Sequence, residues 1–140
     1  MQKGFTLLEV MVVLFILMIM AGLAVTGVLQ QQRKAQRDST VVYVKALSGA
    51  LDLYEQNIGR PPTTEQGLNA LLQLPGDLPN QNKWAGPYLK QTAQTTDPWG
   101  NTYQYVSPSN RSPGASYDVW SFGPDGVDGT DDDIGQWTND

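Results

Sequence analysis

The chain has no cysteine and no histidine. The first absence excludes disulfides and thiol chemistry. The second excludes a histidine-based catalytic triad and a histidine-ligated zinc centre. No proline precedes Pro61, so no residue of that kind interrupts a helix in the first part of the chain. Charge is missing from Val10 to Leu29. Basic residues stop at Arg111, whereas Asp118, Asp125, Asp128, Asp131, Asp132, Asp133 and Asp140 follow it, so the net charge of −5 conceals a strongly acidic C-terminal end. No basic stripe supports nucleic-acid binding. No internal repeat or low-complexity linker divides the 140 residues, which amount to one domain's worth of chain with a small core.

What is present begins with VMVVLFILMIMAGLAVTGVL, residues 10–29. A helix needs about 20 apolar residues to span a bilayer. The run exceeds the apolar region of an ordinary secretory signal peptide, and no small-residue cleavage site follows it directly. A membrane anchor is therefore the better reading, but a plain anchor does not explain Glu9 at its head. An acid in a spanning helix costs roughly 2.5–3.5 kcal/mol at the centre, less near an end, and usually has a partner.

Helical periodicity continues beyond the apolar run. Val41, Val44, Leu47, Leu51, Tyr54 and Ile58 recur at steps of three and four, and Gly59 is a stop signal. The pattern predicts one helix from Phe5 to Tyr54, lipid-embedded in its first half and amphipathic in its second. TTEQGLNALLQL predicts a short helix from Thr63 or Thr64, burying Leu68, Leu71 and Leu72 and ending at Pro75-Gly76. Residues 78–94 read as loop, anchored by Trp84 and Tyr88. DPWG turns the chain, and NTYQYVS and SYDVWSF read as two short antiparallel strands. The fold class is α+β, a long helix packed on a small antiparallel sheet.

GPDGVDGTDDDIG places five aspartates between Phe122 and Trp137. Like charges this close repel unless something positive sits among them. Two readings stand side by side: a solvated acidic segment, or a site for a hard cation, with Ca²⁺ better suited than the stricter Mg²⁺. The spacing does not match the EF-hand loop.

Gly4 followed by Phe5-Thr6-Leu7-Leu8-Glu9-Val10 resembles the prepilin signature of type IV pilins and secretion pseudopilins. The resemblance implies cleavage between Gly4 and Phe5 by a prepilin peptidase and N-methylation of Phe5. It implies that Glu9 meets the N-terminal amine of a neighbouring subunit during assembly. The family often carries a proline where this chain has Thr26-Gly27. Arg33, Lys34 and Arg37 outweigh Lys3, so the positive-inside rule alone would keep the C-terminal side in the cytoplasm. The resemblance implies the opposite orientation: a bacterial inner-membrane, single-pass chain with its C-terminal domain in the periplasm.

Over nearly the whole length, TTEQGLNAL, GPYLK, DPWGNTYQY and SFGPDGVDGTDDDIGQW resemble the G-type major pseudopilins of type II secretion systems. The expected organisation is a leader over 1–4, a transmembrane and assembly helix over 5–30 and a periplasmic domain over 31–140, with a type IV pilin-like fold. The expected role is structural rather than enzymatic. The subunit would leave membrane lipid for a homopolymeric filament that drives protein export across the outer membrane. Its partners would be copies of itself, minor pseudopilins, the prepilin peptidase and the inner-membrane assembly platform. The resemblance also implies Ca²⁺ in the acidic loop, held by the carbonyls of Phe122 and Val127 and by Asp125, Asp132 and Asp133, with Asp128, Thr130 and Asp131 as further candidates. Asp52 and Lys90 match positions that pair between protomers; Ser48 replaces a second helical acid there, and two unrelated surface charges remain the alternative. A type IV pilin for adhesion, motility or DNA uptake shares the N-terminus but favours a C-terminal disulfide. A membrane-anchored enzyme using paired carboxylates is a third reading.

Overall fold

The computed structural model describes residues 4, 6–90 and 95–138, apart from the side chains of 23–26. The chain divides into two compact units, Met1–Gln36 and Arg37–Asp140. Helix α1 spans Leu7–Ile58. At its head Thr6 is the cap: its hydroxyl and its carbonyl both accept from the Glu9 amide, at 3.2 and 3.0 Å. This satisfies one of the amides that a helix N-terminus leaves unpaired. Glu9 lies in the first turn, where a negative charge meets the positive end of the helix dipole. The expected start at Phe5 lies outside the described residues.

The helix ends as Gly59 forecast. Gly59 adopts φ +91° and donates its amide to the Glu55 carbonyl at 2.7 Å, a left-handed cap that a side chain would strain. In the first unit, α1 is long and apolar enough to cross a membrane, and it continues through Gly22 and Gly27 as helix. The described side chains from Leu7 to Met20 are exposed in the single chain.

In the second unit, the helical stripe reads out as expected. Val44, Leu47, Leu51 and Tyr54 are almost completely buried, with Val41 and Ile58 at the margin. They pack with Leu71, Tyr103, Tyr117, Val119 and Ile134 in one cluster. The sheet has three antiparallel strands in the order β1 (Gln104–Val106), β2 (Asp118–Ser121) and β3 (Ile134–Gly135). Tyr105 lies opposite Val119, and Trp120 faces Gln104 on one side and Gly135 on the other. The first two strands fall inside the predicted segments. The third is too short, and too close to the aspartate run, to have shown an alternating pattern.

TTEQGLNALLQL departs from the expected helix. Thr63 and Gln66 exchange hydrogen bonds, the Thr63 amide donating to Gln66 Oε1 and the Gln66 amide to Thr63 Oγ1. That pattern opens helices. Gly67 then takes φ +56°, and the chain continues only as a 3-10 turn over Gly67–Leu71. The left-handed glycine breaks the α path that the leucine spacing suggested. Leu71 is still fully buried, with Leu68 and Leu72 partly so. Trp84 and Tyr88 anchor the following loop as expected, through Trp84 Nε1 to the Ala70 carbonyl (3.1 Å) and the Tyr88 amide to the Leu71 carbonyl (2.8 Å).

Leu51→Ala is expected to cost about 2–5 kcal/mol of folding free energy. Leu53→Ala, at a side chain 53% exposed, should stay within about 0.5 kcal/mol. Urea unfolding of the detergent-solubilised chain checks this; equal losses at the two positions would show that the stripe does not face the core.

Candidate functional site

The acidic loop is mounted on the DPWG turn. Asp97 accepts the amides of Trp99 (3.1 Å) and Asn101 (2.8 Å) on one oxygen and the Ser121 hydroxyl (2.6 Å) on the other. Ser121 Oγ accepts the Gly123 amide at 3.0 Å, and Asn101 Nδ2 donates to the Gly123 carbonyl at 3.4 Å. The turn thus sets where the loop leaves β2. Gly123 has φ +71°, and a Cβ there would strike the Asp132 carbonyl, so the two ends of the loop touch and only glycine fits.

Inside the loop, two groups of acids separate. In the first, the Thr130 hydroxyl points at Asp132 Oδ1 (2.6 Å) and at the Val127 carbonyl (3.2 Å). Asp132 Oδ2 accepts the Asp125 amide (3.3 Å), and Asp125 Oδ1 accepts the Val127 amide (2.8 Å). The Thr130 hydroxyl in front of Asp132 holds its pKa below the usual carboxylate range. Phe122, whose carbonyl the resemblance assigned to the ion, is half-buried at the exit of β2, and Asp131 is exposed.

In the second group, Asp133 and Asp128 close on Arg111. Asp133 Oδ2 accepts from Arg111 Nη1 and from the Gly129 amide, both at 2.9 Å, while Asp128 Oδ1 accepts from Arg111 Nη2 and from Trp120 Nε1. The guanidinium lies 4.2 Å from the centre of the Trp120 ring and 5.8 Å from that of Trp137. The Asp133 side chain is only 6% exposed, and its Oδ1 is buried without a partner. An unsatisfied buried acceptor costs about 1–3 kcal/mol.

Of the five residues the resemblance assigned to Ca²⁺, the structure therefore brings Asp125, Val127 and Asp132 together around Thr130, and turns Asp133 to Arg111. Among the described residues, no three acidic side chains converge as a metal cluster by themselves. The donors present, the carboxylates of Asp125 and Asp132 with the Val127 carbonyl and the Thr130 hydroxyl, fit a hard cation in kind, and the unpartnered buried Asp133 oxygen is an acceptor that such an ion would satisfy.

Three contributions escaped the sequence reading. Arg111 entered it only as the last basic residue. Asp118 was counted with the acidic end, yet it is fully buried: Ser109 Oγ (2.9 Å) donates to its Oδ1, and the amides of Asn110 and Arg111 (2.8 Å each) donate to its Oδ2. It thereby places the backbone that carries Arg111. Burial pushes its pKa up, but the nearby Ser112 hydroxyl, the amides of Arg111 and Asn110 and the Ser109 hydroxyl together bring it below the usual value. Thr6 is the third, legible in hindsight as the T-x-x-E spacing of a capping box.

At the other expected positions, Gly4 and Glu9 are exposed at the head of α1 and Phe5 lies outside the described residues. Lys90 is exposed. Asp52 accepts a 2.7 Å hydrogen bond from the Tyr117 hydroxyl, which also lies 3.0 Å from the Ser48 carbonyl. Burial, reinforced by Asp52, raises the Tyr117 pKa and keeps it a donor.

An apolar helix opened by an acid, running into a small helix-on-sheet unit, is the build of a pilin-like membrane-anchored subunit. Residues 27–137 match the family described as type II secretion system (T2SS), protein G, and residues 1–25 match the prokaryotic N-terminal methylation motif. The type II secretion system core protein G of Klebsiella pneumoniae is 45% identical over 138 residues, covering 98% of this chain and 95% of that protein. That of Aeromonas hydrophila is 47% identical over 137 residues, covering 97% and 92%. The crystal structure of the major pseudopilin from the type 2 secretion system of enterohaemorrhagic Escherichia coli aligns with a TM-score of 0.64 at 38% identity, over 79% of this chain and 94% of that one. The chain belongs to the type II secretion system protein G family and is a structural subunit of the pseudopilus.

Asp118 titrates below the ordinary aspartate value of about 3.9, so its contribution is complete above that pH and is lost as the pH falls through the folded-state value. Asp118→Asn should destabilise the protein by about 1–3 kcal/mol at neutral pH, and its deficit against wild type should shrink as the pH is lowered from about 5 to about 2. Urea unfolding across that range tests it; a constant deficit would remove Asp118 as a charged anchor.

Proposed function

We propose that this pseudopilus subunit is cut between Gly4 and Phe5 by a prepilin peptidase, methylated at Phe5, and held in the bacterial inner membrane by the apolar part of α1, with the C-terminal unit in the periplasm. From there it moves out of lipid into a homopolymeric filament, the major component of the pseudopilus. With minor pseudopilins and an inner-membrane assembly platform, the growing filament drives folded proteins across the outer membrane. The observation that carries this reading is Glu9: an exposed carboxylate in the first turn of α1, immediately ahead of the uncharged run from Val10 to Leu29. A carboxylate entering lipid is tolerated when an opposite charge meets it. The new N-terminal amine of a neighbouring subunit is such a charge, and Glu9 is its partner. Asp52 and Lys90 supply a secondary contact between protomers; an exposed pair of this kind is worth about 0–1 kcal/mol.

The acidic loop takes Ca²⁺ as a structural ion. Asp125, Asp132 and the Val127 carbonyl would hold it, with the Phe122 carbonyl and Asp133 completing the set. Bound, the ion neutralises the loop and ties its ends, which supports folding in a chain without disulfides. What favours this is the all-oxygen donor group around Thr130 and the unpartnered buried oxygen of Asp133.

Glu9→Leu precursor is expected to be processed normally but to enter filaments poorly beside wild-type subunits, read by crosslinking and shearing; normal polymerisation would remove Glu9 from assembly. For the ion, the melting temperature of the full chain in detergent should rise with Ca²⁺ over EDTA by several degrees and much less with Mg²⁺. Asp125→Ala should abolish the rise. A wild-type protein indifferent to Ca²⁺ would return the aspartates to a solvated segment.

A further inference from the structure

The acidic loop already has a cation set against it, supplied by the segment before β2. Arg111 is fixed at its backbone by the buried Asp118 carboxylate, which accepts the amides of both Asn110 and Arg111. Its guanidinium rests over Trp120 and forks to two different carboxylates, Asp128 and Asp133. A guanidinium does not lose its proton in a protein, so this charge is permanent. The planar fork also suits bridging two carboxylates, which an ammonium does less well.

We propose that Arg111 is the built-in counter-cation of the C-terminal loop, and that it moderates the loop's affinity for a divalent cation by holding Asp133. The proposal rests on the Ca²⁺ reading above. Asp133 Oδ2 is committed to the guanidinium and the Gly129 amide, while Oδ1 is buried with no partner. A cation recruiting this carboxylate must share it with Arg111 and approach a fixed positive charge. Asp125, Asp132 and the Val127 carbonyl lie in the other group and are free of that competition. Two consequences follow from the geometry. The loop remains closed without a bound ion, because Arg111 ties Asp128 and Asp133 to the segment before β2. Removing the guanidinium opens that tie and releases a buried carboxylate to the ion.

The test is calorimetric titration of Ca²⁺ into the full chain in detergent micelles, with melting temperatures in EDTA and in saturating Ca²⁺. Arg111→Gln should melt lower than wild type in EDTA, bind Ca²⁺ about tenfold more tightly because Asp133 is no longer shared with a guanidinium, and recover most of the lost stability when saturated. Adding Asp133→Asn to Arg111→Gln should cancel the gain in affinity. Arg111→Lys keeps a charge but not the fork, and should shift the affinity less in the same direction; it decides the matter if the glutamine variant does not fold. Unchanged or weaker binding in the Arg111 variants, or a gain that survives Asp133→Asn, overturns the proposal while leaving the Ca²⁺ site standing. Absence of Ca²⁺ binding in wild type and variants alike overturns the site itself, and the proposal with it.

Discussion

The C-terminal unit depends on one apolar contact, the face of α1 made by Val44, Leu47, Leu51 and Tyr54 against the sheet and the Gly67–Leu71 turn. Strands of three, four and two residues cannot form an independent sheet in water. They persist because Tyr103, Tyr117, Val119 and Ile134 lose their water against that helical face. The helix in turn gains its second half from the same contact, since tertiary packing of an amphipathic face stabilises a helix more than propensity does. Each element is marginal alone, and the shared core holds them.

Polar anchoring is layered on that core. Asp97 and Asp118 are both buried carboxylates, and each is surrounded by donors from a turn of its own neighbourhood. Asp97 joins the DPWG turn to the end of β2, and Asp118 joins the 109–112 segment to its start. The loop that follows is therefore presented by two rigid brackets in a chain that has no disulfide to do so. Burial of these carboxylates is tolerable because amide and hydroxyl donors replace the water they lose.

The loop itself shows how a dense run of like charges is organised. It divides its aspartates between a guanidinium and a pocket of oxygen donors, rather than treating them as one cluster. Arg111, with Trp120 and Trp137 beside it, neutralises one group. The other retains the Asp132 carboxylate and the Val127 carbonyl on a common hydroxyl, that of Thr130, with Asp125 bonded to the Val127 amide. This division also accounts for the different environments of the adjacent residues Asp132 and Asp133, which a linear reading treats as equivalent.

The features legible in the chain were those encoded by local periodicity. The apolar run, the buried stripe from Val44 to Tyr54, the stop at Gly59, the DPWG turn and the two longer strands all follow from spacing and turn chemistry, and the structure has them. The motif at Glu9 and the order of the later segments placed the chain in its family. The 3-10 turn over Gly67–Leu71 was misread because leucine spacing says nothing about the positive φ of Gly67. The two residues of β3 lay below any periodic signal. The partners of Asp118, Asp133 and Arg111 were decided only in three dimensions, because which carboxylate meets which donor depends on how distant segments are brought together by the core. Composition determined that acids crowd the end of this protein; the tertiary structure decided which of them are already neutralised.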